Sequence, residues 1–233
     1  MTSEPRTMSR RDRLRVQTFQ EIEDAAFAII DEDGVHALSI AALARSMAMS
    51  APALYRYFAS RDALVAHLIT RAYGQLVAAM AAGMEGRRRT PQARVRLLVV
   101  TYREWALQYR RRYAMLFGES PGDIPEEVGA ESPLNLAMTQ LVDLLVAEAA
   151  EAPAVATTGD RTLDGQLREW ARAMQRPGTA PRISRAAIII WTRVHGIVSL
   201  ELNGMVDNRS IDVQRLINLE VDNAVQLLTR TGS

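Results

Sequence analysis

The chain has 233 residues, 48% apolar and 24% charged, and no cysteine. The length allows one or two domains with a substantial buried core. The missing cysteine excludes a disulfide framework, a thiolate zinc site and a cysteine nucleophile. Its formal charge of +1 conceals strong segregation: residues 1–16 carry +3, 17–33 carry −6, 34–61 carry +3, 87–112 carry +8 and 113–160 carry −9. Local charge therefore has to carry any argument about partners. The longest apolar run, Leu76 to Ala82, falls far short of the roughly 18–20 residues of a membrane span, as does Ala186 to Trp191. No apolar stretch follows the arginine-bearing start, so a cytoplasmic protein without membrane attachment is expected.

Helical periodicity dominates, and strand alternation bounded by hairpin turns is missing, so the chain reads as all-α. A flexible basic arm, residues 1–15, leads into an amphipathic helix with Phe19, Ile22, Ala26, Ile29 and Ile30 at helical spacing, stopped by Gly34. Ser39 caps a short helix over Ile40 to Met47, and Ser50 caps a second with Pro52 in its first turn. Ser60 begins a long helix whose inner side is Leu64, Leu68, Ala72, Leu76 and Met80. Thr90-Pro91 opens a helix running through Tyr109, and a short one follows from Tyr113 to Phe117. Ser132-Pro133 opens another, ending near Ala152. Then come a helix with Leu163, Leu167, Trp170 and Met174, and two last helices, about Ser184 to Val206 and Ser210 to Thr229.

The informative stretch is the pair of short helices. Two helices of about two turns joined by two or three residues match a helix-turn-helix. Ile40, Leu43, Ala44, Met49, Leu54 and Phe58 would hold the pair against the first helix. That leaves Ala51, Pro52, Ala53, Tyr55, Arg56 and Tyr57 outside. A small-residue tip can enter a major groove, where Arg56 can fork onto guanine O6 and N7, and Pro52 and Ala53 can pack on thymine methyls. No acid occurs between Gly34 and Arg61. A plain helical hairpin would explain neither that nor two outward tyrosines beside an arginine.

The string Leu54-Tyr55-Arg56-Tyr57-Phe58, with Ser60-Arg61-Asp62 and Leu64 after it and Ile40-Ala41, Leu43-Ala44 and Ser50 before it, resembles the DNA-binding domain of TetR-type transcriptional regulators over residues 17–66. The resemblance implies that Ser39 and Tyr57 hold backbone phosphates and that the segment from Ser50 through Ala51 to Arg56 meets the bases. Arg61 stands where the family usually has a phosphate-binding lysine. Four positions depart from the pattern: Ala48 replaces the turn glycine, Tyr57 replaces a histidine, and Ala51 and Ala53 bring no hydrogen-bonding side chain. Arg6, Arg10, Arg11, Arg13 and Arg15 make the arm either a solvated tail or a minor-groove contact.

All three tryptophans lie after Thr90, so the second half is expected to carry a ligand cavity as well as a core. The candidate liners are Tyr102, Trp105, Tyr109, Met115, Phe117, Met138, Trp170, Trp191 and His195. Trp191, His195, Val198 and Leu202 share one helical face. The run Trp191-x-x-x-His195-Gly196, with Tyr102, Ala106, Tyr113 and Phe117, is similar to one TetR branch in its C-terminal domain. Apolar residues on several faces of the last two helices predict a homodimer through an isologous contact. The family implies the same dimer, and its symmetry implies a palindromic double-stranded DNA operator. Arg87-Arg88-Arg89 and Arg110-Arg111-Arg112 read either as solvated helix ends paired with the acidic segment or as a site for an anionic effector.

The expected architecture is thus a basic arm (1–15), a three-helix helix-turn-helix domain (16–66) and a helical effector-binding and dimerisation domain (67–233). The implied function is a regulator, most commonly in this family a repressor, released from its operator by a small-molecule effector. No metal or cofactor is called for. His36, His67 and His195 are scattered, and HExxH, CxxC, GxSxG and P-loop motifs are missing, which argues against an enzyme. A helical adaptor without DNA binding is the alternative.

Overall fold

The computed structural model describes residues 9–84, 90–118, 133–149, 157–206 and 209–229. Regular structure among them is entirely helical: α1 (Arg10–Asp33), a 3-10 turn (Val35–Ala37), α2 (Ile40–Ser46), α3 (Ala51–Tyr55), α4 (Arg61–Gly83), α5 (Pro91–Gln108), α6 (Arg110–Phe117), α7 (Pro133–Ala149), α8 (Arg161–Ala173), α9 (Pro181–Leu202) and α10 (Val213–Thr229). They form two compact units, Met1–Ala72 with Tyr109–Pro125, and Tyr73–Gln108 with Glu126–Ser233.

In unit one, Ile22, Ala26 and Ile30 of α1 are sealed against Leu38, Leu43 of α2, Leu54 of α3, and Leu64 and Leu68 of α4, all nearly inaccessible to solvent. The three-residue and four-residue steps of these positions put them on the inner face of each helix. The expected arm is shorter than the sequence suggests, because Ser9 begins the helix. Its hydroxyl accepts from the Asp12 backbone N–H at 3.2 Å and donates to the Asp12 carboxylate at 2.7 Å. Arg10, Arg11, Arg13 and Arg15 are therefore helical, while Arg6 lies outside the described residues.

The turn between α2 and α3 explains how Ala48 replaces a glycine. Ala48 has φ +51°, the left-handed region. Around it the Met49 N–H donates to the Ala44 carbonyl at 2.9 Å and the Ala48 N–H to the Arg45 carbonyl at 3.3 Å, the paired bonds of a Schellman ending. An alanine held there is strained by about 1–2 kcal/mol, part of which glycine's freer unfolded chain would take back. Ala48→Gly should therefore raise stability by about 0.5–1 kcal/mol. Chemical denaturation reads it directly, and an unchanged or lower midpoint would mean that the turn is relaxed as it stands.

In unit two, α9 packs on α7, α8 and α10, and α5 lies against α7. Pro181 is the first residue of α9. The helix therefore opens three residues before the expected start at Ser184, since the N–H that proline lacks is one that a helix start leaves unpaired anyway. Asp212 caps α10 by accepting from the Arg215 N–H at 3.0 Å, so that helix starts after the serine expected to begin it. Helices α4 and α9 each hold an 18-residue window of mean hydropathy 1.2, enough to cross a membrane by length and composition alone. Each has buried apolar residues: Leu64 and Leu68 of α4 in unit one, Leu76 and Met80 of α4 in unit two, and Ile190, Val194 and Val198 of α9 in unit two.

Candidate nucleic-acid interface

The tip of the short-helix pair is built as its sequence dictates. Pro52 sits in the first turn of α3, and Leu54 points inward and is buried. Pro52 and Arg56 are exposed, Ala51 and Ala53 are half-buried, and the Tyr55 ring is 52% exposed. An exposed ring next to an exposed guanidinium on a helix with no acid nearby has the chemistry of a base-and-phosphate contact.

Ser39 caps α2, its hydroxyl accepting from the Ala42 N–H at 3.1 Å. Its own O–H can still donate outward. Ser50 makes no side-chain cap, and its carbonyl instead accepts from Ala53 at 2.9 Å. Pro52 explains the difference, because it removes one of the N–H groups that a capping hydroxyl would seek. Tyr57 is half-buried, its ring 6.4 Å from that of Phe19.

Arg61 has a different environment from the one its charge suggested. Its Nε donates to the Leu38 carbonyl at 2.7 Å and its Nη2 to the Val35 carbonyl at 2.9 Å, while Nη1 lies 3.5 Å from Asp62. Two of its N–H groups thus tie the start of α4 to the segment that introduces α2. Arg61 holds the hairpin in place.

Two polar assemblies in unit one were invisible to pattern reading. Glu23 is 6% exposed on the apolar face of α1, where it bonds His67 and lies 3.1 Å from the Arg71 Nε. Phe19, Phe58 and His67 cluster beside it with ring centroids 5.1–5.4 Å apart, Phe19 stacked on Phe58 and edge-on to His67. The available signals were a single acid among Ile22, Ala26 and Ile30, and a His and Arg four residues apart. The second assembly centres on Arg112. Its guanidinium forks onto Asp31 at 2.5 and 2.9 Å and lies over the rings of Phe27 (4.1 Å) and Tyr109 (4.5 Å). The 113–160 acidic segment supplies none of these contacts. Arg110 and Arg111 are exposed, and Arg87, Arg88 and Arg89 lie outside the described residues.

The ring-bearing residues expected around a ligand divide between the units. Tyr109, Met115 and Phe117 belong to unit one, with Met115 buried and Phe117 4.8 Å from Tyr113. Unit two holds Tyr102, Trp105, Met138, Trp170, Trp191 and His195. Three of these meet. The Tyr102 hydroxyl and His195 Nδ1 share a hydrogen bond of 3.0 Å, Trp191 lies 5.1 Å from the Tyr102 ring, and Trp191 and His195 are nearly parallel at 6.1 Å. Burial pushes the His195 imidazole below its ordinary value, toward the neutral form. Trp105 is buried in the same helix as Tyr102, whereas Trp170 and Met138 are half-buried on α8 and α7.

A family model for the C-terminal domain of tetracyclin repressor-like proteins matches residues 95–224. A second, for bacterial regulatory proteins of the tetR family, matches residues 22–68. An uncharacterized HTH-type transcriptional regulator of Mycobacterium tuberculosis is 25% identical over 193 residues, covering 83% of this chain and 74% of the relative. Among solved structures, one described as the regulatory protein SCO4313 superposes with TM-score 0.71 at 29% identity, covering 94% of this chain and all of the other. A TetR variant of Acinetobacter baumannii AYE, crystallised with minocycline, shares the fold at TM-score 0.54 and 17% identity, over 89% of this chain and 93% of its own.

Proposed function

We propose a mode of action from one premise: the chain belongs to the TetR family of bacterial regulatory proteins and is a helix-turn-helix transcriptional regulator. Its duplex contact is formed by Ser39, Ser50, Ala51, Pro52, Ala53, Tyr55, Arg56 and Tyr57. Arg56 reads a base edge, Pro52 and Ala53 pack on methyl groups, and Ser39 and Tyr57 hold phosphates. Arg61 acts through the backbone carbonyls it holds, fixing the angle at which the tip is offered. The observation that carries this reading is the exposed Pro52, Tyr55 and Arg56 on a hairpin locked by a Schellman turn.

The protein works as a cytoplasmic homodimer on a palindromic operator. Within one chain, Ile190, Val194, Val198, Ile217, Val221, Val225 and Leu228 are already covered, so the symmetric contact draws on what remains. That is the half-buried Ile188, Ile189, Ile197 and Leu216 with the exposed Leu200 and Leu219 of α9 and α10. The helix-turn-helix domain lies within residues 16–66 and the effector and dimerisation domain within 67–233. Tyr102, Trp191 and His195 form the centre of the effector site, with Trp105, Met138 and Trp170 around it. Minocycline bound to a structurally similar regulator supports a small-molecule effector here. Ligand entry shifts the population away from the DNA-competent dimer, with a coupling of about 1–3 kcal/mol, and relieves repression.

Selection of bound genomic fragments by the purified protein tests this reading. The expected product is a palindrome with half-site centres about 34–36 Å apart, or a multiple of that. Recovery of fragments without sequence preference, or of none, would leave the helical adaptor as the better account.

A further inference from the structure

The effector is unnamed by anything above, and unit two carries a further clue to its chemistry. The Ser184 hydroxyl and the Gln140 Oε1 are buried with no hydrogen-bonding partner among the described residues, and Ser184 is wholly inaccessible. Buried polar atoms are almost always paired, and leaving one unpaired costs about 1–3 kcal/mol. Two in one helical layer call for a visitor that pairs them.

Their placement is not arbitrary. Ser184, Trp191 and His195 stand at i, i+7 and i+11 of α9, within about 20° of one line along the helix. The lower end of that line meets Tyr102 of α5 through Trp191 and His195. Gln140 belongs to α7, which packs against both α5 and α9. The same helix face therefore offers an aromatic wall at one end and an unanswered hydroxyl at the other, with an unanswered amide oxygen on the helix beside them.

The charge inventory narrows the ligand. The buried polar residues of α7 are Asn135 and Thr139, both uncharged. The one well-buried ion pair nearby on α5 and α9, Arg103 with Glu201, is self-neutralising at 2.5 and 2.7 Å. His195 is held toward its neutral form by burial. Among these described residues a charged ligand would find no uncompensated opposite charge to offset its desolvation.

We infer that the effector site is bounded by α5, α7 and α9 and takes an uncharged, ring-bearing molecule that donates a hydrogen bond to Gln140 and exchanges one with Ser184. This rests on the effector reading proposed above and specifies its ligand class. Three uncharged probes (2-naphthol, indole and 4-phenylphenol) and one matched anion (naphthalene-2-sulfonate) would be titrated calorimetrically into the full-length protein. At least one uncharged probe should bind saturably, and the sulfonate should bind at least tenfold more weakly than 2-naphthol. Ser184→Ala and Gln140→Leu should each weaken the uncharged probe about 3- to 10-fold. Both should leave the melting temperature of the ligand-free protein unchanged or raised, because each removes an unpaired buried atom. Failure of all three probes to bind, equal or tighter binding of the sulfonate, or unaltered affinity in both variants would overturn the assignment. So would a fall of several degrees in both ligand-free variants, the sign of an internal structural water. Operator binding by the same preparations separates the two readings: lost DNA binding refutes the regulator mechanism, whereas intact DNA binding with negative titrations refutes only the ligand class.

Discussion

Glu201→Ala is expected to destabilise the protein by about 3–5 kcal/mol, the usual consequence of stranding a buried charge. The Arg103 guanidinium and the Glu201 carboxylate are 11% and 8% exposed, and they meet through two bonds of 2.5 and 2.7 Å. A third bond, of 3.3 Å, runs from Arg103 to Gln214 of α10. The hydrogen bonds to Glu201 raise the Arg103 pKa above its already high value, against the opposing effect of burial. Deleting the carboxylate leaves the guanidinium desolvated with the Gln214 amide oxygen as its hydrogen-bond acceptor among the described residues. The double change Arg103→Met with Glu201→Leu should recover most of the loss, since an apolar pair of similar volume avoids the desolvation of both ions. Urea denaturation of the three proteins decides it. A single variant as stable as the parent would mean that water reaches the pair freely.

Arg56→Ala should weaken operator binding by about 1–3 kcal/mol per half-site, roughly 5- to 150-fold, and relax the preference at one base position. Its exposed position at the end of α3 means that the fold loses little, so the unfolding free energy should stay within about 0.5 kcal/mol of the parent's. Tyr57→Phe provides the contrast. If Tyr57 holds a phosphate, its loss weakens binding to all sequences alike, without altering base preference or, because the phenol is uncharged, the salt dependence. Fluorescence anisotropy on the selected palindrome and on a scrambled duplex distinguishes the two patterns. Arg56→Ala with full affinity and unchanged sequence preference would remove α3 as the reading element.

Much of this was open to reading in one dimension. The helices announced themselves through apolar steps of three and four, and their starts through Ser39, Ser60, Pro91 and Pro133, because caps and periodicity are local properties. The hairpin was recognisable for the same reason: every residue that makes it lies within one short stretch. Boundaries slipped where two local signals competed, as at Ser9, where a cap lengthened α1 into the supposed arm, and at Pro181, which could end one helix or begin another.

The partners of charged groups were not legible. Arg61 looked like a phosphate ligand until folding brought the Val35 and Leu38 carbonyls under it. Arg112 stood in a basic run that seemed destined for the acidic segment downstream, yet it reaches back to Asp31 and two rings. Glu23 gave no hint of His67 and Arg71, which are 44 and 48 positions away. Residue order alone determined an all-helical regulator with a small-tipped reading helix, since secondary structure and amphipathic faces follow from neighbours within a few positions. Tertiary packing alone decided which cations face solvent, which buried carboxylates are paired and which buried polar atoms find no partner among the described residues. Those outcomes depend on distances between segments remote along the chain, and a linear sequence does not encode such distances in any local pattern.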